Sequence, residues 1–172
     1  MVNEEHRVKV RTFMSGMPFY ISDVTEEQLD LFCSALTHSS YSNENIDPDT
    51  GKPAECYERL EFLGDSVIEL VVREHLFRST EWREGQMTAK KQEHVSDKDM
   101  SSHVLESGMD LDSVMLLGNG HKDSEGNNVV EESMRAGAFE ALAGAFYLSR
   151  GLEFARRIIL IILRPDVTEK SE

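Results

Sequence analysis

The stretch Glu58-Arg-Leu-Glu-Phe-Leu-Gly-Asp65-Ser-Val-Ile-Glu-Leu-Val-Val-Arg-Glu-His-Leu-Phe77 decides the fold of this chain. On a helix of about 3.6 residues per turn, Glu58, Glu61, Asp65 and Glu69 recur at spacings of three and four and share one face. Leu60, Leu63, Val67 and Val71 run down another face, and Phe62, Ile68, Leu70 and Val72 widen the apolar surface. A helix that is apolar over most of its circumference is a buried helix, and a buried row of acids is unfavourable unless protons or cations occupy it. The stretch therefore predicts a core helix that carries part of a metal site.

Helical signals extend outward on both sides. Upstream, Thr25-Glu-Glu-Gln28 has the form of a capping box, followed by Leu29, Phe32, Cys33 and Leu36 at helical spacing. Residues 37–57, rich in Asn, Asp, Pro and Gly, read as a long surface loop. Downstream, residues 81–85 read as a connection, Thr88 as the cap of a short helix to about Val95, and Ser96 or Asp97 as the cap of another that stops near Ser107-Gly108. A helical turn over 110–117 and a polar loop over 118–128 follow. A helix then runs from about Val130 to Ser149, with Phe139, Leu142 and Phe146 as its apolar stripe. Ala141, Gly144 and Ala145 are small enough to let a second backbone approach. Gly151 breaks the pattern, and a last helix over 152–163 ends at Arg164-Pro165. With no strand pattern and no repeat, the reading is all-α. It has an N-terminal segment without firm periodicity (1–24), one helical domain (25–164) and a short tail (165–172).

The 172 residues suit a single domain, and 40% hydrophobic with 29% charged residues is an ordinary globular balance. The densest apolar run, Ile158 to Leu163, is far too short to span a bilayer, so no membrane association is expected. The opening Met-Val-Asn-Glu-Glu-His lacks a signal-peptide pattern, which together with two widely spaced cysteines predicts a cytoplasmic address and free thiols at Cys33 and Cys56. A formal net charge of -14 argues against a protein that coats nucleic acid by charge alone, while leaving open recognition through divalent ions or a local basic patch.

Glu58-Arg-Leu-Glu-Phe-Leu-Gly-Asp65 resembles the signature helix of the ribonuclease III family. Three further segments agree in order: Ala35-Leu-Thr-His-Ser-Ser-Tyr41, Glu84-Gly-Gln-Met-Thr88 and Ala138-Phe-Glu-Ala-Leu-Ala-Gly-Ala-Phe-Tyr-Leu148. The resemblance covers about 29–163. It implies an all-helical endonuclease domain, a two-fold homodimer, and Mg²⁺-dependent cleavage of double-stranded RNA. A carboxylate-only ligand set suits hard Mg²⁺ or Mn²⁺, and the lack of a His/Cys set disfavours zinc. Carried over by position, Glu61, Asp65 and Glu140 match the catalytic, metal-holding acids. Glu58 and Glu84 match acids of the cleft and subunit boundary, and Phe62 an aromatic that inserts into the partner subunit. Lys90, Lys91 and Lys122 are candidates for RNA phosphate contacts, and His38, within the first matching segment, reads as a packing or capping residue.

One position departs from the pattern. Three residues before the later glutamate the family carries an aspartate, and here that position is Gly137. A residue at 137 shares a helical face with Glu140, so the exchange removes a ligand and leaves reduced or absent activity as the expectation. Close helix packing, with Gly144 on the same face, is the structural explanation of that glycine. No double-stranded-RNA-binding domain is expected after Leu163, so weak, strongly salt-dependent RNA binding is anticipated, supplemented by dimerisation or by an RNA-binding partner protein. Two other readings stand beside the nuclease: an inactive RNA-binding or structural protein that retains the fold, and a helical protein that binds Ca²⁺ or Mg²⁺ for stability. The latter lacks an EF-hand, because Asp47-Pro-Asp-Thr-Gly-Lys has neither the ligand pattern nor the flanks.

Overall fold

A computed structural model describes residues 4–165 and Val167. Its elements are α1 (Glu4–Ser15), α2 (Glu26–Ala35), α3 (Ser39–Glu44), α4 (Glu58–Ser79), α5 (Glu84–Val95), α6 (Asp97–Glu106), α7 (Leu111–Val114), a 3₁₀ turn (Asn119–His121), α8 (Glu132–Arg150) and α9 (Leu152–Leu163). Among the described residues β-structure is limited to isolated bridges, such as Thr37 with Leu116, so the all-α expectation holds. None of these helices is long and apolar enough to cross a membrane.

The centre of the molecule is the contact between α4 and α8. Two glycines allow it: a Cβ on Gly64 would stand 1.7 Å from the Glu140 carbonyl oxygen, and one on Gly144 would stand 2.5 Å from that of Leu60. Only residues without a side chain let the two backbones meet this closely. Around this joint α8 buries nearly its whole circumference, and α6, α9 and α2 pack against it. Phe146 is the aromatic hub, with ring centroids 5.1 Å from Phe19, 5.5 Å from Phe32 and 5.4 Å from Phe154. These separations lie in the range where tilted aromatic pairs add to plain area burial.

The Thr25 capping box forms as the sequence predicts, Thr25 accepting from the Gln28 N–H and Gln28 from the Thr25 N–H. Gln28 also donates its Nε2 to the Ser149 carbonyl at 3.2 Å, and Arg150 reaches back to Asp23 at 2.9 Å and to the Gln28 Oε1 at 3.2 Å. The start of α2 is thereby tied to the end of α8. Gly151, at φ +81°, makes the break before α9, and Gly108, at φ +73°, follows α6.

Several local expectations are revised. The N-terminal segment, which lacks a clean period, forms α1 and buries Val10 and Met14 completely against α2 and α7, with Phe19 and Ile21 following into the core. The polar stretch 37–57 contains α3, started by His38, whose Nδ1 accepts the Ser40 N–H at 3.1 Å. Helix α5 begins at Glu84 rather than Thr88, because Gln86 caps back onto Arg83, and the Thr88 hydroxyl instead donates to Glu84 at 3.0 Å. Phe62 and Leu70, counted toward the apolar surface of α4, are 82% and 51% exposed. Cys33 is buried and Cys56 half-buried, both as free thiols, and burial pushes the Cys33 thiol up to about 11.

Candidate active site

The acids of α4 do not share one fate. Glu58 and Asp65 are exposed and Glu61 is half-buried. Glu69 leaves the row altogether: its oxygens take Arg73 at 2.6 Å and Lys91 at 2.6 Å. The buried four-acid row expected from sequence thus reduces to Glu61, because Glu58 and Asp65 reach solvent and Glu69 finds cations.

What replaces the rest of the row comes from other helices. Glu140 on α8 sits half-buried one peptide from the Gly64 joint, and its carboxyl is pushed up to about 8 by burial first and then by the charges of Asp65, Glu61 and Asp97. Glu61 is raised as well, by burial and then by Glu58, Asp97 and Asp65. The Tyr57 hydroxyl, just before α4, is driven up by burial and by Glu61, Glu58, Cys56 and Glu140 in turn. Three helices therefore direct negative charge at one region: α4 through Glu61 and Asp65, α8 through Glu140, and α6 through Asp97.

Several acids elsewhere are paired. Glu26 takes Arg7 and Arg11, Glu74 takes Arg78 and Arg156, Asp23 takes Arg150, and Asp112 takes the buried Arg135 at 2.8 Å. Among the described residues no Lys, Arg or His forms an ion pair with Glu61, Asp65, Asp97 or Glu140. A fold that pairs its half-buried Glu69, Glu74 and Asp112 with cations and leaves the half-buried Glu61 and Glu140 without one has a site suited to an external cation. The donors are hard carboxylate oxygens, the type that Mg²⁺ and Mn²⁺ take, so Glu61, Asp65 and Glu140 fit such an ion in kind. As placed, no three acid, His or Cys side chains among the described residues converge into a preformed cage.

Gly137 lies at this site and not at the backbone joint. A Cβ there would stand 2.9 Å from the Glu61 Oε1 and 3.4 Å from the Tyr57 hydroxyl. The close approach of two backbones belongs instead to Gly64 and Gly144, and at Gly137 the Glu61 carboxylate crowds the place a Cβ would take.

The remaining sequence candidates lie apart from the acids or are engaged. Glu84 begins α5 and, with Arg73, Leu76, Phe77, Met87 and Lys91, lines a separate cavity of about 220 Å³. Lys91 is held by Glu69, Lys90 pairs with Glu93 at 3.1 Å, and Lys122 donates to Asn128. Sequence reasoning missed Tyr57 and Asp97 as neighbours of the site. Tyr57 ends a polar loop, and Asp97 reads as an ordinary acid in the favourable first turn of a helix, so neither carried a signal.

The ribonuclease-III-like family model matches residues 28–166. The chain belongs to the ribonuclease III family. Ribonuclease 3 of the onion yellows phytoplasma is 35% identical over 151 residues, which cover 88% of this chain and 59% of that protein. Ribonuclease 3 of Oleidesulfovibrio alaskensis is 41% identical over 128 residues, covering 74% and 52% respectively. The chain thus spans about half to three fifths of the length of these ribonuclease III relatives. The crystal structure of the nuclease domain of ribonuclease III from Campylobacter jejuni superposes with a TM-score of 0.67 at 27% identity, covering 99% of this chain and 100% of that one. A second structure of that domain, concerned with flexibility in the region involved in its dimer formation, gives the same TM-score and identity over 95% and 98%.

Proposed function

We propose that this chain is a ribonuclease III-type endoribonuclease domain that hydrolyses double-stranded RNA as a homodimer, with Mg²⁺ or Mn²⁺ as cofactor. The observation that carries the reading is that the half-buried Glu61 of α4 and Glu140 of α8, both raised by burial and by neighbouring acids, are left without a cation while the half-buried Glu69 and Glu74 are paired. Glu61, Asp65 and Glu140 would hold the divalent ion, which when bound supplies Lewis-acid activation of the scissile phosphate and of the attacking water. The protein's part is positional. The joint at Gly64 fixes the peptide of Glu140 against α4, so acids from two helices are set at a spacing that side-chain motion alone does not change. Glu140, protonated in the absence of a cation, releases its proton when one arrives, which makes ion uptake favour higher pH.

Phe62 supports the dimer. An aromatic that is 82% exposed, on a helix that also leaves Leu70 and Phe77 exposed, is an anchor without a pocket in its own chain. The cavity beside Phe77 and Met87 offers an apolar recess of suitable kind on a second copy.

Gly137 predicts that catalysis is reduced. The test compares Mg²⁺-dependent cleavage of a long RNA duplex by this protein and by Gly137→Asp. The aspartate variant is expected to cut at least about tenfold faster, the scale on which a lost metal partner is felt. Robust cutting by both at equal rates refutes the importance of the missing carboxylate, and cutting by neither refutes the nuclease reading. Gly137 also favours one second reading, a catalytically inactive RNA-binding or structural protein that keeps the fold. RNA binding by both proteins without cleavage by either supports it.

A further inference from the structure

Helix α5 is seated by a histidine. His94 is the one residue of α5 that the fold buries, at 6% exposure, while Met87 and Val95 are only half-buried against the core. Its Nδ1 meets the Nε2 of His103 on α6 at 3.3 Å, and the two rings stack with centroids 5.5 Å apart and planes 27° from parallel. A neutral pair holds this contact with a single proton between the facing nitrogens, one donating and the other accepting. The second nitrogen of His94, Nε2, is buried with no hydrogen-bond partner among the described residues. An imidazolium at position 94 would carry N–H on both nitrogens, one aimed at His103 and the other at no acceptor. Leaving a buried donor unmet costs about 1–3 kcal/mol, and more for a charged group.

The surrounding charges do not offset that cost. Burial is the main cause that lowers the His94 pKa, followed by His103 and Lys90. Glu93, paired with Lys90 at 3.1 Å, and Asp99, whose carboxylate accepts the Ser96 hydroxyl, act the other way and more weakly. Charges on the other helices packed against α5 and α6 are engaged elsewhere: Glu69 of α4 with Lys91 and Arg73, Arg135 of α8 with Asp112, and Arg156 of α9 with Glu74. His103 is half-exposed, so protons reach the pair from solvent. Ser96 alone joins the two helices, ending α5 and capping α6. A helix with so little buried surface lies at the low end of local stability.

We propose that His94 and His103 form an acid-operated latch: neutral, the pair seats α5 on α6, and protonation of His94 releases α5. Met87, Thr88 and Lys91 wall the recess beside Phe77, so release of α5 opens that recess. Once released, His94 regains the ordinary histidine pKa of about 6.5, whereas in the seat its pKa is lowered. Opening therefore takes up a proton, and is favoured as pH falls below that value and suppressed above it.

Hydrogen–deuterium exchange of the full chain in EDTA, read by mass spectrometry at a series of pH values and normalised for intrinsic exchange, tests the latch. Peptides covering 84–95 are expected to lose protection as pH falls below about 6.5, approaching about tenfold per pH unit, while peptides of α8 keep theirs. His94→Phe and His94→Leu, two apolar fillings of different shape so that one misfolded variant does not decide the matter, should each hold α5 protection level across the range. His75→Gln, which exchanges a half-buried histidine of α4, should behave as the unaltered chain. Protection of α5 that is flat with pH in the unaltered chain overturns the latch. The same acid-induced loss in a folded His94 variant also overturns it, as does loss of protection by α5 and α8 together, the mark of global unfolding.

Discussion

Replacing Gly64 by alanine probes the joint on which the site depends. In isolation the exchange favours the helix by about 1 kcal/mol, since alanine loses less backbone freedom than glycine. In this fold the new Cβ would meet the Glu140 carbonyl oxygen at 1.7 Å, its carbon at 2.5 Å and the Gly144 nitrogen at 2.9 Å. All three are backbone atoms, so no rotamer relieves the clash. Reaching even 3.0 Å from the oxygen requires roughly 1.3 Å of separation between α4 and α8. A gap of about 0.5–1 Å already forfeits a quarter to a half of each dispersion contact, and the α4–α8 contact is the largest between helices of the molecule. Overpacking of this kind costs about 1–3 kcal/mol and occasionally more, and with rigid backbone on the receiving side we expect a net loss of about 3 kcal/mol. For a chain of this size that lowers the melting temperature by roughly 6–12 °C. Urea denaturation followed by far-ultraviolet circular dichroism measures the loss. Gly85→Ala serves as the reference, because a Cβ there meets nothing within 4 Å. A Gly64→Ala protein within about 0.5 kcal/mol of the unaltered chain would refute the close approach of the two helices.

The other predictions address charge and assembly. With divalent ions chelated, stability should fall as pH rises from about 4.5 through 8, because the folded protein holds the Glu140 proton more tightly than the unfolded chain does; Glu140→Gln should flatten that profile in denaturation series at several pH values. Phe62→Ala should convert a dimer to a monomer in sedimentation or light scattering with little change in monomer stability, and equal masses for the two proteins would remove Phe62 from the interface. Arg135→Met, which strands Asp112 and frees Ser101, should cost about 2–4 kcal/mol in chemical denaturation, since breaking a largely buried ion pair leaves an uncompensated group.

The fold was legible from sequence wherever an apolar period coincided with a cap. Helix α2 begins at its capping box, α6 at Ser96 and α9 at Gly151, because these signals are local and depend on few neighbours. The start of α5 was displaced because Arg83 is not a usual N-cap, and α1 was obscured because its buried His6 is not apolar. At the site, the acids of the signature helix were evident, but their environments were not. Sequence spacing put Glu69 in the same row as Glu61, whereas tertiary packing delivers Lys91 from α5 to Glu69 and brings no cation to Glu61. Asp97 was invisible for the same reason: its charge bears on Glu61 and Glu140 only once α6 packs along α8.

The tie between the start of α2 and the end of α8 gives the first helices a mechanical office. Gln28 and Asp23 hold the Ser149 carbonyl and the Arg150 guanidinium, about 15 Å along the axis from Glu140 at 1.5 Å per residue. They act as an end stop for α8, limiting its lengthwise play just as the Gly64 joint limits its sideways approach. Loosening that stop, some ten residues along the chain from Glu140, would free the far end of α8 and leave the Gly64 joint alone to keep Glu140 in line with Glu61.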